Sequence, residues 1–106
     1  MLERDYQARL IKEIKYRLPS AVVLKNDSGY QQGIPDLSIF YGDRWAVLEV
    51  KRSEHEFLTK PVPNQDWFIE TLDSMSYAAF IYPENEEQVL RDLQLALQPR
   101  RRSRVS

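Results

Sequence analysis

The stretch Asp36 to Arg52, DLSIFYGDRWAVLEVKR, constrains the chain more than any other. It holds two largely apolar runs with only Gly42 and Asp43 between them. Two residues suffice for a tight antiparallel hairpin and are far too few for a parallel crossover. Side chains of a strand alternate with period two, so Trp45, Val47, Glu49 and Lys51 share one face and Ala46, Leu48 and Val50 the other. The antiparallel return sets Asp36, at the start of the first strand, beside the end where Glu49 and Lys51 emerge. Three charges are thus expected to meet at one edge of a sheet whose strands otherwise read as buried. Clustering two carboxylates away from water is costly unless something positive compensates. A divalent cation is one such partner. Lys51 alone is another, and would leave a buried Asp/Glu/Lys network with no chemistry. Charge clusters of this kind concentrate at active sites, which favours the functional reading.

The flanking segments set this hairpin in an ordered series of elements. Residues 3 to 18 carry Tyr6, Leu10, Ile11, Ile14 and Leu18 at helical spacing, and Pro19 ends the run. AVVLK at 21 to 25 reads as a strand, and the turn-rich NDSGYQQGIP as an irregular loop. After the hairpin strands, 36 to 41 and 44 to 52, a second loop SEHEFLTKPVP leads to a helix from about Asn64 to Ser76. Its inner side is predicted to carry Trp67, Phe68, Leu72 and Met75, with Asn64 as cap. YAAFIY at 77 to 82 is a short strand. Pro83 and Asn85 then open a last helix with Val89, Leu90, Leu93 and Leu97 facing inward. The predicted order is α-β-β-β-α-β-α, an α/β sandwich with helices on both faces of a mixed sheet.

With 106 residues and 42% hydrophobic content, the chain is expected to form one domain over residues 1–98. Residues 99–106 read as a basic, disordered tail. Arg100, Arg101, Arg102 and Arg104 all lie there, and removing those charges from a net −1 leaves the body at −5. Global charge therefore lends nucleic-acid binding no support, although the tail would attract phosphate. The chain has no cysteine and one histidine, His55, so any metal must bind through oxygen, as Mg²⁺, Mn²⁺ or Ca²⁺ do. His55 itself reads as a solvated surface residue. No apolar run approaches the roughly 18 residues of a membrane span, and the charged N-terminus is unlike a secretory signal. A cytoplasmic location, in a bacterium or a phage-infected cell, is the expectation.

Ile34-Pro35-Asp36 followed by Glu49-Val50-Lys51 resembles the PD-(D/E)xK signature of the restriction-endonuclease-like nucleases. The wider pattern, Gly33-Ile34-Pro35-Asp36-Leu37, then Glu49-Val50-Lys51, then Gln65 heading a helix, is similar to VRR-NUC domains and Holliday-junction resolvases. The resemblance implies that superfamily's α-β-β-β-α-β core and a Mg²⁺-dependent endonuclease, with Mn²⁺ as substitute. It further implies that Asp36, Glu49 and the Val50 backbone carbonyl hold metal, and that Lys51 orients the attacking water and donates to the phosphate.

The same resemblance implies an acid on the first helix. At about 100° per residue, the buried stripe of that helix points toward Glu3 and Gln7, while Glu13 lies roughly 115° away. Glu3 is therefore the expected further metal ligand, with Gln7 in support, although a first-turn Glu also simply stabilises a helix dipole. Gln65 is expected to line the active site, or else to be an ordinary polar residue at a helix start. Lys25, Arg52 and Lys60 are the candidate DNA-phosphate contacts. Trp67 and Phe68 are assigned to the core. With no recognition helix in the sequence, selection of DNA structure, such as a junction, branch or flap, is expected over selection of sequence. Symmetric cutting of both strands would call for a C2 homodimer, and nicking only for a monomer. Two alternatives stand beside the enzyme: a nuclease-fold module that binds DNA without cutting, and a small α/β interaction protein that binds metal.

Overall fold

The computed structural model of the chain describes residues 1–27 and 29–98, so the expected basic tail lies outside the described residues. The elements are helix α1 (Glu3–Arg17), strands β1 (Val22–Lys25), β2 (Leu37–Tyr41) and β3 (Arg44–Val50), helices α2 (Glu54–Thr59) and α3 (Gln65–Met75), strand β4 (Tyr77–Ile81) and helix α4 (Glu86–Leu97). The fold is α/β, with a mixed four-stranded sheet in the order β1-β2-β3-β4. The first two pairings are antiparallel and β3 with β4 is parallel. That parallel step needs a crossover, which α2 and α3 supply. Gly42 and Asp43 form the expected hairpin turn, with Tyr41 paired to Arg44 and Gly42 at φ 62°.

Two clusters of apolar side chains cover the sheet, one on each face. The larger joins Tyr6, Leu10, Ile14 and Leu18 of the α1 segment and Val89, Leu90, Leu93 and Leu97 of α4 to Leu37, Ile39, Ala46, Leu48, Val50 and Ile81. The smaller packs Ile69 of α3 on Val47 and Ala78, with Trp45, Leu72 and Phe80 around it. Five consecutive residues of β3, Ala46 to Val50, are buried, as a central strand covered from both sides requires. Polar groups tie α1 to α4: Tyr6 Oη donates to Glu86 Oε1 at 2.9 Å, and Arg17 pairs with Glu87 at 2.7 Å. Among the described residues no helix is long and apolar enough to cross a membrane.

Three expectations need correction. The segment after β3 is not all loop, because α2 forms within it. Ser53 caps that helix by accepting from the Glu56 backbone N–H at 3.1 Å. Ser53-Glu54-His55-Glu56 has the Ser-x-x-Glu form of a capping box, and only Phe57, against Phe80 and Tyr82, anchors the helix inward. On α3, Trp67 and Met75 are 61% and 67% exposed rather than internal. The inner stripe instead runs Gln65, Ile69, Leu72, because burying Gln65 rotates the helix toward the sheet through that side chain. Asn64 stands at the helix start but caps nothing with its side chain. It is held in the left-handed region, at φ 71°, where Gly33 packs against it.

Candidate active site

The register of β2 on β3 pairs Leu37 with Leu48, so Asp36 falls beside Glu49. The two residues bond to each other's strands. The Asp36 N–H donates to Glu49 Oε1 at 3.1 Å, and the Val50 N–H donates to Asp36 Oδ2 at 2.9 Å. Each carboxylate is thereby held by a backbone N–H at or next to the other. Asn26, just beyond β1, holds the Asp36 main chain in turn. Its N–H donates to Asp36 O at 2.8 Å, and its side-chain amide donates to Pro35 O and Ser38 Oγ, both at 2.8 Å. The site lies where the two central strands β2 and β3 begin and end, the sheet edge at which the hairpin was expected to bring the three charges together.

Lys51 follows Glu49 by two residues, and both are nearly inaccessible, at 4% and 3% exposure. Gln65, the first residue of α3, bridges them. Lys51 Nζ donates to Gln65 Oε1 at 2.7 Å, and Gln65 Nε2 donates to Glu49 Oε2 at 2.5 Å. The Lys51 ammonium dictates the amide's orientation, since it only donates and must face the amide oxygen. The direct Lys51–Glu49 separation is longer, 3.9 Å. Gln65 therefore joins the two same-face residues more closely than they approach each other.

Positive charge does not balance this cluster. Burial, then the Asp36 carboxylate, pushes the Glu49 carboxyl up to about 8 against the pull of Lys51. Burial likewise raises Asp36, with the Val50 N–H the main opposing influence. Glu3 is raised as well, by burial, then Asp36 and Glu56. Carboxylates that resist ionisation beside one another are what a cation would stabilise.

One open cleft of about 420 Å³ gathers Glu3, Asp36, Glu49, Lys51 and Gln65, with Gly33 and Ile34 along one wall. The helical-wheel choice of Glu3 over Glu13 agrees with this placement, since Glu13 pairs with Arg17 elsewhere on α1. Glu56 also lines the cleft and was not foreseen. Its oxygen accepts from the Arg52 N–H and from Arg52 Nε, at 3.1 and 3.0 Å, so the Arg52 charge is paired with Glu56, and Arg52 lines a neighbouring hollow and not the cleft itself. The Ser-x-x-Glu pattern was the sequence signal that could have found Glu56. Lys60 lines the adjoining hollows. Lys25 does not reach the cleft: paired with Leu37, it shares the α1 side of the sheet, opposite to Glu49. Gln7 is half-buried and does not line the cleft either. His55 is exposed on α2.

Among the described residues, no three Asp, Glu, His or Cys side chains form a ready-made metal cage. The donor chemistry nonetheless fits a hard divalent cation. The donors are carboxylate oxygens, they are short of positive charge, and Glu3, Asp36 and Glu49 all line the one cleft. The chain matches no protein-family model, no curated protein and no solved structure, so the reading of this site rests on its own geometry.

Proposed function

We propose that the chain is a Mg²⁺-dependent endodeoxyribonuclease of the PD-(D/E)xK kind, with a restriction-endonuclease-like core, acting on branched, junction or flap DNA in repair, recombination or phage DNA processing. One observation carries the reading: Asp36 and Glu49 are locked to each other's strands, with Lys51 on the same face and Gln65 linking the two functions. Asp36, Glu49, Glu3 and the Val50 carbonyl are the groups that would hold Mg²⁺, with Mn²⁺ as substitute. Such a cation, when bound, supplies Lewis acidity at a phosphate and lowers the pKa of water in its reach.

The chain's own residues supply the rest. The mutual backbone bonds of Asp36 and Glu49 preorganise the carboxylates, so little reorganisation is needed when charge develops on a phosphate. Lys51, held by Gln65, lines the cleft, where its remaining ammonium hydrogens can donate to a phosphoryl oxygen and orient water. An arginine could not replace it, being larger and unable to release a proton. Gln65 fixes the spacing of Lys51 and Glu49 and so acts as a positioning residue. An acidic body gives weak long-range attraction for DNA, so phosphate contacts must come from Arg52, Lys60 and the Arg-rich tail. A homodimer would let two such sites cut opposite strands.

Four-way junction, flap, single-stranded and linear duplex DNA, incubated in parallel with Mg²⁺, test the reading. The wild-type chain is expected to cut at least one of them, and Asp36→Ala and Lys51→Ala to cut none. Wild-type inactivity on all four, or cleavage retained by both variants, would refute it. A second reading, a nuclease-fold module that binds DNA without cutting, draws on the fact that both Glu49 oxygens already accept hydrogen bonds. Metal-independent DNA binding without cleavage would favour it.

A further inference from the structure

Against the cleft lies a second hollow, of about 220 Å³, whose walls include Phe57, Leu58, Lys60, Val62, Asp66 and Phe80. It is not a separate site. Lys51, Val62 and Gln65 line both spaces, so whatever phosphate lies along Lys51 has the hollow next to it. Two of its lining residues are packed aromatics: Phe57 lies against Phe80 at 4.8 Å between ring centroids, and is stacked in turn on Tyr82, outside the lining, at 5.3 Å. Leu58, 67% exposed, stands with Val62 at the mouth. Lys60 and Asp66 add one cationic donor and one anionic acceptor to the same lining.

We propose that this hollow receives the base of an unpaired nucleotide adjoining the phosphate in the cleft. The inference rests on the nuclease reading and narrows its substrate to DNA with an unpaired nucleotide at the cut. A base has apolar faces and polar edges, which match apolar and aromatic walls edged by one donor and one acceptor. The volume is several times the ~30 Å³ of a liquid water molecule and below the roughly 300–1,000 Å³ of pockets for drug-sized ligands. It suits a single planar ring system. Continuity with the cleft through Lys51, Val62 and Gln65 identifies the occupant as part of the phosphate-bearing chain, not an unrelated apolar ligand. Within an intact duplex a base is stacked and paired and must be extruded at a cost of a few kcal/mol before it can enter such a space. An unpaired base enters without that cost, so flaps, bulges and single strands are favoured over uninterrupted duplex.

The test compares Mg²⁺-dependent cleavage of three DNAs of one sequence: uninterrupted duplex, duplex with a single-nucleotide flap, and the same flap with an abasic residue at the unpaired position. The wild-type chain is expected to prefer the flap by about tenfold or more in kcat/KM. That preference should fall toward one with the abasic substrate, mainly through KM. Leu58→Trp, at the exposed mouth of the hollow, should lower the same preference. Equal wild-type cleavage of duplex and flap, or undiminished cleavage of the abasic flap, would overturn the base subsite and leave the nuclease standing. No cleavage of any of the three would overturn the base subsite, and inactivity on four-way junction and single-stranded DNA as well would overturn the nuclease reading with it. The abasic arm needs no protein variant, so a Leu58→Trp chain that failed to fold would not spare the proposal.

Discussion

Glu49 is buried against the Asp36 carboxylate, and its carboxyl titrates near 8 instead of 4.5. An acid whose pKa rises on folding favours the folded state fully below the unfolded value and loses that contribution as pH climbs through the folded one. The metal-free chain, kept so with a chelator, is therefore expected to lose thermal stability between about pH 4.5 and about pH 8. Glu49→Gln, neutral and nearly isosteric, should flatten that part of the profile, and an unchanged slope in the variant would contradict the assignment. Gly33 carries a different constraint. Its φ is 89°, and a Cβ would stand 2.7 Å from Pro63 O and 2.8 Å from Asn64 Cβ. Gly33→Ala is expected to cost about 1–3 kcal/mol in urea unfolding, and an unshifted midpoint would show that the loop yields freely. At this scale Asp36, Glu49 and Lys51 were legible, because a two-residue turn and period-two alternation are local rules. Asn26 was not, since its role depends on a loop closing back onto Pro35 and Asp36.

Among elements, α2 shows what a charged sequence conceals. EHEFLT offers one anchoring aromatic and no buried stripe, so hydrophobic periodicity is silent, and the capping pattern at Ser53 is the only local mark. Ser53→Ala is expected to destabilise the chain by about 1 kcal/mol, seen as a lower urea midpoint with unchanged slope. No shift would mean that Phe57 packing alone secures the helix. In α3 the apolar residues were read correctly as helical, and Leu72 as inward, but Trp67 and Met75 were assigned to the wrong side. Hydrophobicity ranked Trp67 and Met75 as internal, whereas the sheet end requires Gln65 to face inward to serve Lys51 and Glu49. A polar bridge outranked two large apolar side chains in setting the helix's rotation.

Across the whole molecule the two faces of the sheet are unequal. The α1/α4 face holds the large continuous core, and the α3 face a small one beside the cleft. Leu90→Ala is expected to cost about 2–5 kcal/mol. Ile69→Ala, whose side chain sits in the smaller cluster at 8% exposure, should cost less. Equal losses in chemical denaturation would show that both faces carry the fold alike. The amino-acid sequence by itself determined the succession of strands around a two-residue turn, the amphipathic first and last helices, and the meeting of Asp36 with Glu49. These follow from local spacing and turn length, which act over a few residues. Only the tertiary structure decided that the site lies between central strands, that Glu56 joins the expected Glu3 there while Lys25 lies behind the sheet, and that Gln65 joins Lys51 to Glu49. Each of those depends on which face of a helix or strand is turned toward distant segments, and that is settled by packing the whole sheet, not by any window of the chain.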